Sequence, residues 1–169
     1  VSLELKQHGY NVVSNDINLF SHVIGSAYLA NNQIPDLPIE DMAPARTIAS
    51  LRNLTQSEVG TLINNRHINY LSTPLLRERY IQFLTLLRYL ESASFNPLPR
   101  SARFNFIYEC YSEAGSQSAY RSSRGREGRR RFFSTENAQR LDIILSHIRY
   151  WWRQSVLSYT DLTCLLSST

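Results

Sequence analysis

Apolar residues recur at helical spacing over much of the chain, and short runs rich in Pro, Gly and Ser interrupt them. Ile17, Phe20, Val23, Ile24, Ala27 and Tyr28 share one helical face, which predicts a helix over residues 17–30. Gly9 and the β-prone Tyr10, Val12 and Val13 precede it and predict a strand over 10–15 that stops at Asn15-Asp16. Residues 1–8 read as the last turns of a helix. Asn31 to Pro44, with Pro35, Pro38, Asp36, Glu40 and Asp41, reads as a loop, and residues 45–72 as short helices joined by turns, clearest over Gln56–Asn64. Thr73-Pro74 starts a further helix, with proline at its first position. Leu76, Tyr80, Phe83, Leu84, Leu87 and Leu90 give it an apolar stripe to about Glu91, and Arg77, Arg79 and Arg88 fall on or beside the solvated face.

Pro97 and Pro99 break this pattern. In Arg103–Tyr111 the aromatic residues Phe104, Phe106 and Tyr108 alternate, which predicts a strand, with a helix as the alternative. Residues 112–131, rich in Ser, Gly and Arg, read as an exposed, mobile loop. Ser134 or Thr135 caps a long helix to about Arg153, with Glu136 in its first turn and Ala138, Leu141, Ile144, Leu145, Ile148 and Trp152 facing the core. Thr160-Asp161 opens a last helix with Leu162, Leu165 and Leu166 as its stripe. Both ends fall inside a helical pattern, so the expectation is an internal segment of a longer protein.

With 169 residues, 43 % of them hydrophobic and 19 % charged, the chain suffices for a real core and is unlike a disordered one. No apolar run approaches the ~20 residues of a membrane span, and the first residues lack the pattern of a signal peptide. Cys110 and Cys164 lie far apart without metal-ligand spacing, so a reduced, cytoplasmic setting is expected. The net charge of +4 is carried by arginine, since Lys6 is the only lysine. Arginine suits bidentate contacts to phosphate and guanine, although a GC-rich genome would also favour it.

Candidate chemistry lies in two places. Asp16, at the turn from strand to helix, suits first a helix cap, with a ribose-hydroxyl acceptor at the carboxyl edge of a sheet as the alternative; the two roles are compatible. Arg121, Arg124, Arg126, Arg129, Arg130 and Arg131 cluster, opposed only by Glu127. Such a cluster points to nucleic acid, with a solvated loop as the alternative. Tyr120, Phe132 and Phe133 flank it and suit either anchoring or stacking on an extruded base. His8, His22, His67 and His147 are scattered and join neither cysteine in a motif, and no metal site or phosphate-binding glycine loop is visible.

Two stretches carry a family resemblance: Val13 to Asn18, and Phe132 to Asp142 opening the helix that reaches Tyr150-Trp151-Trp152. They resemble the alpha-class N6-adenine DNA methyltransferases, the bacterial GATC-type and restriction-modification adenine methylases. The resemblance implies an α/β fold, a fragment of a Rossmann-like S-adenosylmethionine-dependent methyltransferase with a mostly helical target-recognition insert. Residues 1–34 would belong to the cofactor-binding core, 35–150 to the DNA-binding insert, and 151–169 to the return toward the core. Asp16, with Ile17 beside it, takes the place of the acidic cofactor position, and the arginine cluster lies in the DNA-reading insert. The cofactor would be S-adenosylmethionine and the partner duplex DNA, in a bacterial or phage cytoplasm, with room for a cognate restriction endonuclease. The family's glycine loop and Asp-Pro-Pro-Tyr motif are absent from these residues, so no catalytic residue is expected among them.

Overall fold

The computed structural model describes residues 2–11, 23, 25–27, 34–64 and 71–168. The chain divides into two compact units, Val1–Tyr89 with Trp151–Thr169, and Leu90–Tyr150. Residues 35–89 fall in the same unit as the chain's two ends.

In the first unit, α1 (Ser2–Gln7) is followed by α2 (Ile39–Met42), α3 (Ala45–Asn64), most of α4 (Pro74–Ser92) and, from the last part of the sequence, α7 (Tyr159–Ser168). Gly9 terminates α1 at φ +82°, with its N–H on the Lys6 carbonyl (3.0 Å) and the Tyr10 N–H on that of Leu5 (3.1 Å). That glycine serves the helix end and introduces no strand at once: Tyr10 and Asn11 are irregular, and Tyr10 is 65 % exposed. The rest of the expected strand lies outside the described residues, with Asp16 and Ile17. Val23 and Gly25–Ala27 have helical backbone.

The stretch after Pro44 is one 20-residue helix, α3, where short helices were expected. It contains no proline, and Gly60 alone does not break it. The loop before it contains α2 and buries Leu37, Ile39 and Met42. Two of the arginines expected to be merely solvated are paired, Arg79 with Asp36 (3.0 Å) and Arg88 with Glu58, and Arg52 pairs with both Glu78 and Glu40. Such part-exposed pairs contribute little each, about 0–1 kcal/mol. The Thr73 hydroxyl caps α4 by accepting from the Leu76 N–H (3.2 Å). On α4, Thr85, Leu86, Tyr89 and Leu90 are buried. The rest of the expected leucine stripe is half-buried. Ser158 caps α7 in a reciprocal pair with Asp161, so the helix starts at Tyr159, just before Thr160-Asp161.

The second unit holds a short 3-10 turn (Arg100–Ala102), α5 (Phe106–Tyr111), β1 (Ala119–Arg121), β2 (Glu127–Arg129) and α6 (Thr135–Arg153) as far as Tyr150. α5 occupies the place of the expected strand. Its start is fixed by Asp142, whose carboxylate accepts the N–H groups of Ile107 (2.9 Å) and Tyr108 (2.7 Å). An anion against these free donors stabilises the first helical turn and overrides the alternating pattern. The adjacent Ser146 hydroxyl accepts the Phe104 N–H (2.8 Å).

Ser134 caps α6 through the Asn137 N–H (3.2 Å). The helix buries Ala138, Ile148 and Trp151, and its buried face carries polar residues, Asp142, Ser146 and His147. Trp152, expected inside, is 42 % exposed; apolar counting could not foresee a core face half composed of anchoring polar groups. Burial holds the His147 ring below its ordinary pKa, against the pull of its bond to the Ile143 carbonyl, to which Nδ1 donates at 2.9 Å.

Candidate nucleic-acid interface

The arginine cluster does not lie in an irregular loop. It is carried by an antiparallel hairpin, in which Ala119 faces Arg129, Tyr120 faces Gly128 and Arg121 faces Glu127. The turn closes through the Gly125 N–H on the Ser122 carbonyl (2.9 Å) and the Ser122 N–H on the Arg126 carbonyl (2.8 Å). Gly125 takes φ +76°, a conformation that residues with a side chain rarely adopt. The Ser122 hydroxyl accepts the Arg126 N–H (3.0 Å). The hairpin signal was present as Ser-Ser-Arg-Gly, but arginines on the strands hid the usual apolar alternation.

The base of the hairpin is tied to the end of α5. The Arg130 N–H donates to the Ser118 carbonyl (2.9 Å), and the N–H groups of Phe132 and Phe133 both donate to the Tyr111 carbonyl. Between α5 and β1, Glu109 accepts the Ser116 N–H (2.8 Å) and hydroxyl (2.6 Å). These bonds, the side-chain one foremost, pull the Glu109 carboxyl below its ordinary range. Gly115 lies where no side chain fits: a Cβ there would stand 2.2 Å from the Tyr108 carbonyl oxygen.

The six arginines fall into two groups. Arg129 donates to the Glu113 carbonyl (2.9 Å), Arg130 to the Gln117 carbonyl (3.3 Å), and Arg131 pairs with the Glu113 carboxylate (2.8 Å). These contacts orient three guanidiniums, of which only Arg131, beside the helix start, was expected to be ordered. Arg121 lies 3.8 Å from Glu127, while Arg124 and Arg126, at the turn, are exposed and form no ion pair among the described residues. The arrangement presents a hydrogen-bonded, exposed cationic base and an adaptable cationic tip.

Sequence reasoning missed an aromatic series beside this base. Ring centroids run from Phe104 to Phe106 (5.8 Å), to Tyr111 (5.6 Å) and to Phe132 (5.9 Å). Arg130 lies over Tyr111 at 6.0 Å and Arg149 over Phe104 at 5.5 Å. Its sequence signals were the aromatic run from Phe104 to Tyr111 and Phe132 beside the arginines, with nothing to join the two.

Among the described residues no group of His, Cys, Asp and Glu could hold a metal ion, and no helix is long and apolar enough to cross a membrane. Neither Cys110 nor Cys164 forms a disulfide. No family model, no curated protein and no solved structure matches the chain.

Proposed function

We propose that the chain is the DNA-reading portion, with one wall of the cofactor site, of an S-adenosylmethionine-dependent DNA adenine methyltransferase. The observation that carries the DNA half is the hairpin: six arginines on it and directly after it, three of them bonded to the turn that follows α5. Guanidiniums so close repel one another and are relieved by polyanion phosphates, whose condensed counterions are released on contact. Most of them position the backbone rather than read bases, because the tip residues Arg124 and Arg126 have no support to fix a bidentate geometry. The methyltransferase half rests on the sequence resemblance at Val13–Asn18 and Phe132–Asp142. In that reading the whole enzyme extrudes adenine from the duplex and methylates its exocyclic nitrogen, Asp16 accepts from the cofactor's ribose with Ile17 beside it, and residues outside this sequence perform the chemistry.

Replacing Arg129, Arg130 and Arg131 together with alanine is expected to weaken binding to every duplex by at least about tenfold at low salt. Fluorescence anisotropy measures it, and parent-like affinity would leave the hairpin as a solvated element. For the cofactor half, Asp16→Ala in an enzyme that also carries the glycine loop and catalytic motif is expected to weaken S-adenosylmethionine binding. Loss of a charge-assisted bond, about 1.5–3 kcal/mol, corresponds to roughly ten- to a hundredfold. Unchanged calorimetric affinity would reduce Asp16 to a helix cap.

A second reading, a nucleic-acid-binding module without enzymatic activity, is favoured by the hairpin and all its anchors lying within Leu90–Tyr150, independent of Asp16. DNA binding combined with no cofactor binding by the enzyme carrying all motifs would select it.

A further inference from the structure

We infer that the aromatic series beside the hairpin is a stacking platform for unpaired nucleobases, so that the chain binds DNA with a single-stranded gap more tightly than continuous duplex. The inference rests on the nucleic-acid reading above and adds a ligand chemistry to it.

Phe132 ends the series and is 71 % exposed; Phe106, within it, is 47 % exposed. Large aromatic rings left this far in water are poorly explained by folding alone, and their faces are available to another π-system. Phe106–Tyr111 and Tyr111–Phe132 meet edge to face, at 70° and 62°, so the series is an angled run of rings rather than a closed stack. Phe132 also borders an open depression of about 310 Å³ shared with Tyr120, Arg129, Arg130 and Arg131. Outside that depression the Tyr120 ring rests on Gly128: a Cβ on that glycine would come within 3.2 Å of the tyrosine ring. Two aromatics, Tyr120 and Phe132, lining one depression with three guanidiniums are the combination that takes a base by its face and its phosphate by charge. Charge separates this occupant from an apolar protein segment. Arg129, Arg130 and Arg131 line the depression and Arg149 flanks Phe104, while Glu113 is engaged by Arg131 and Glu109 by Ser116. Fully paired DNA keeps its bases stacked on one another and offers these rings little; a gap offers free faces.

The test uses three DNAs of one length: continuous duplex, the same duplex with a gap of unpaired thymines, and the same gap built from abasic sites. The last two match in backbone charge and differ in the bases. Anisotropy titrations of the chain are expected to rank the thymine gap above the abasic gap by at least about fivefold, the lower end for one stacked base. Phe132→Ala and Phe106→Ala should erase that ratio, while Phe132→Trp should keep it and Phe132→Leu, apolar but without a π-face, should not. Circular dichroism of each variant checks folding, and Phe132→Ala is expected to fold because its ring is mostly in water. Equal binding to the thymine and abasic gaps overturns the platform and leaves the charge reading intact. Loss of all three affinities in the Arg129, Arg130 and Arg131 alanine variant supports the charge reading separately, and full retention there overturns that reading alone. If the free chain self-associates and Phe132→Ala makes it monomeric, the rings form a self-contact and the platform is likewise overturned.

Discussion

Asp142→Ala is expected to destabilise the Leu90–Tyr150 unit by about 3 kcal/mol, read as a shift in the midpoint of chemical denaturation. The carboxylate is fully buried and accepts the N–H groups of Ile107 and Tyr108. Its removal leaves two donors at the start of α5 without an acceptor, at a helix too short to hold itself together. Asp142→Asn should be intermediate, since an amide offers one carbonyl where two donors converge and turns its NH2 against the other. Burial pushes the Asp142 carboxyl up, the bonds from Tyr108 and Ile107 pull it back, and the Glu109 charge pushes it up again. The raised value means that the folded state holds a proton the unfolded chain has released. Between the ordinary aspartate value and the raised one, this group's contribution therefore falls as pH rises. A loss below about 1 kcal/mol for Asp142→Ala would show that α5 does not depend on this anchor.

Gly115→Ala is expected to cost as much, about 3 kcal/mol, and to lower DNA affinity with it. Its Cβ would stand 2.2 Å from the Tyr108 oxygen and 2.3 Å from the Glu109 oxygen, and both are backbone atoms that cannot swing aside. Relief requires pulling the turn off the end of α5, and that turn supplies the Glu113 and Gln117 contacts to Arg129, Arg130 and Arg131. Gly60→Ala is the control. Its Cβ meets nothing within 4 Å inside α3, so the change should stabilise by up to about 1 kcal/mol. If both glycine variants unfold at the parent's midpoint, the close approach at Gly115 is not as described.

Helices with strong punctuation were legible in the sequence. Thr73-Pro74 and Ser134 stand where α4 and α6 are capped, because a hydroxyl beside free N–H groups is a local effect. What failed was non-local. The aromatic alternation at 104, 106 and 108 reads as a strand until Asp142, distant in sequence, supplies an anion to the N–H groups of Ile107 and Tyr108. The burial of Trp151 in place of Trp152 follows from a helix face that buries Asp142, Ser146 and His147. Of the candidate site, the six arginines could be picked out by charge, but their division into a bonded base and a free tip depends on the carbonyls of residues 113 and 117 and on the Glu113 carboxylate. No local pattern encodes those contacts. The aromatic series likewise joins residues from α5 and from beyond β2, which only the folded chain brings together. Asp16 and Ile17 lie outside the described residues, so the cofactor half still stands on resemblance.

The salt dependence of duplex binding tests the central claim most directly. For the parent chain, log affinity is predicted to fall linearly with log salt at about −0.9 per phosphate engaged. With Arg129, Arg130 and Arg131 replaced by alanine, the slope should become shallower by about one unit per lost contact, hence by roughly two to three units, on all duplex sequences alike. A variant that keeps the parent's slope and affinity would contradict the hairpin as the DNA-contacting element.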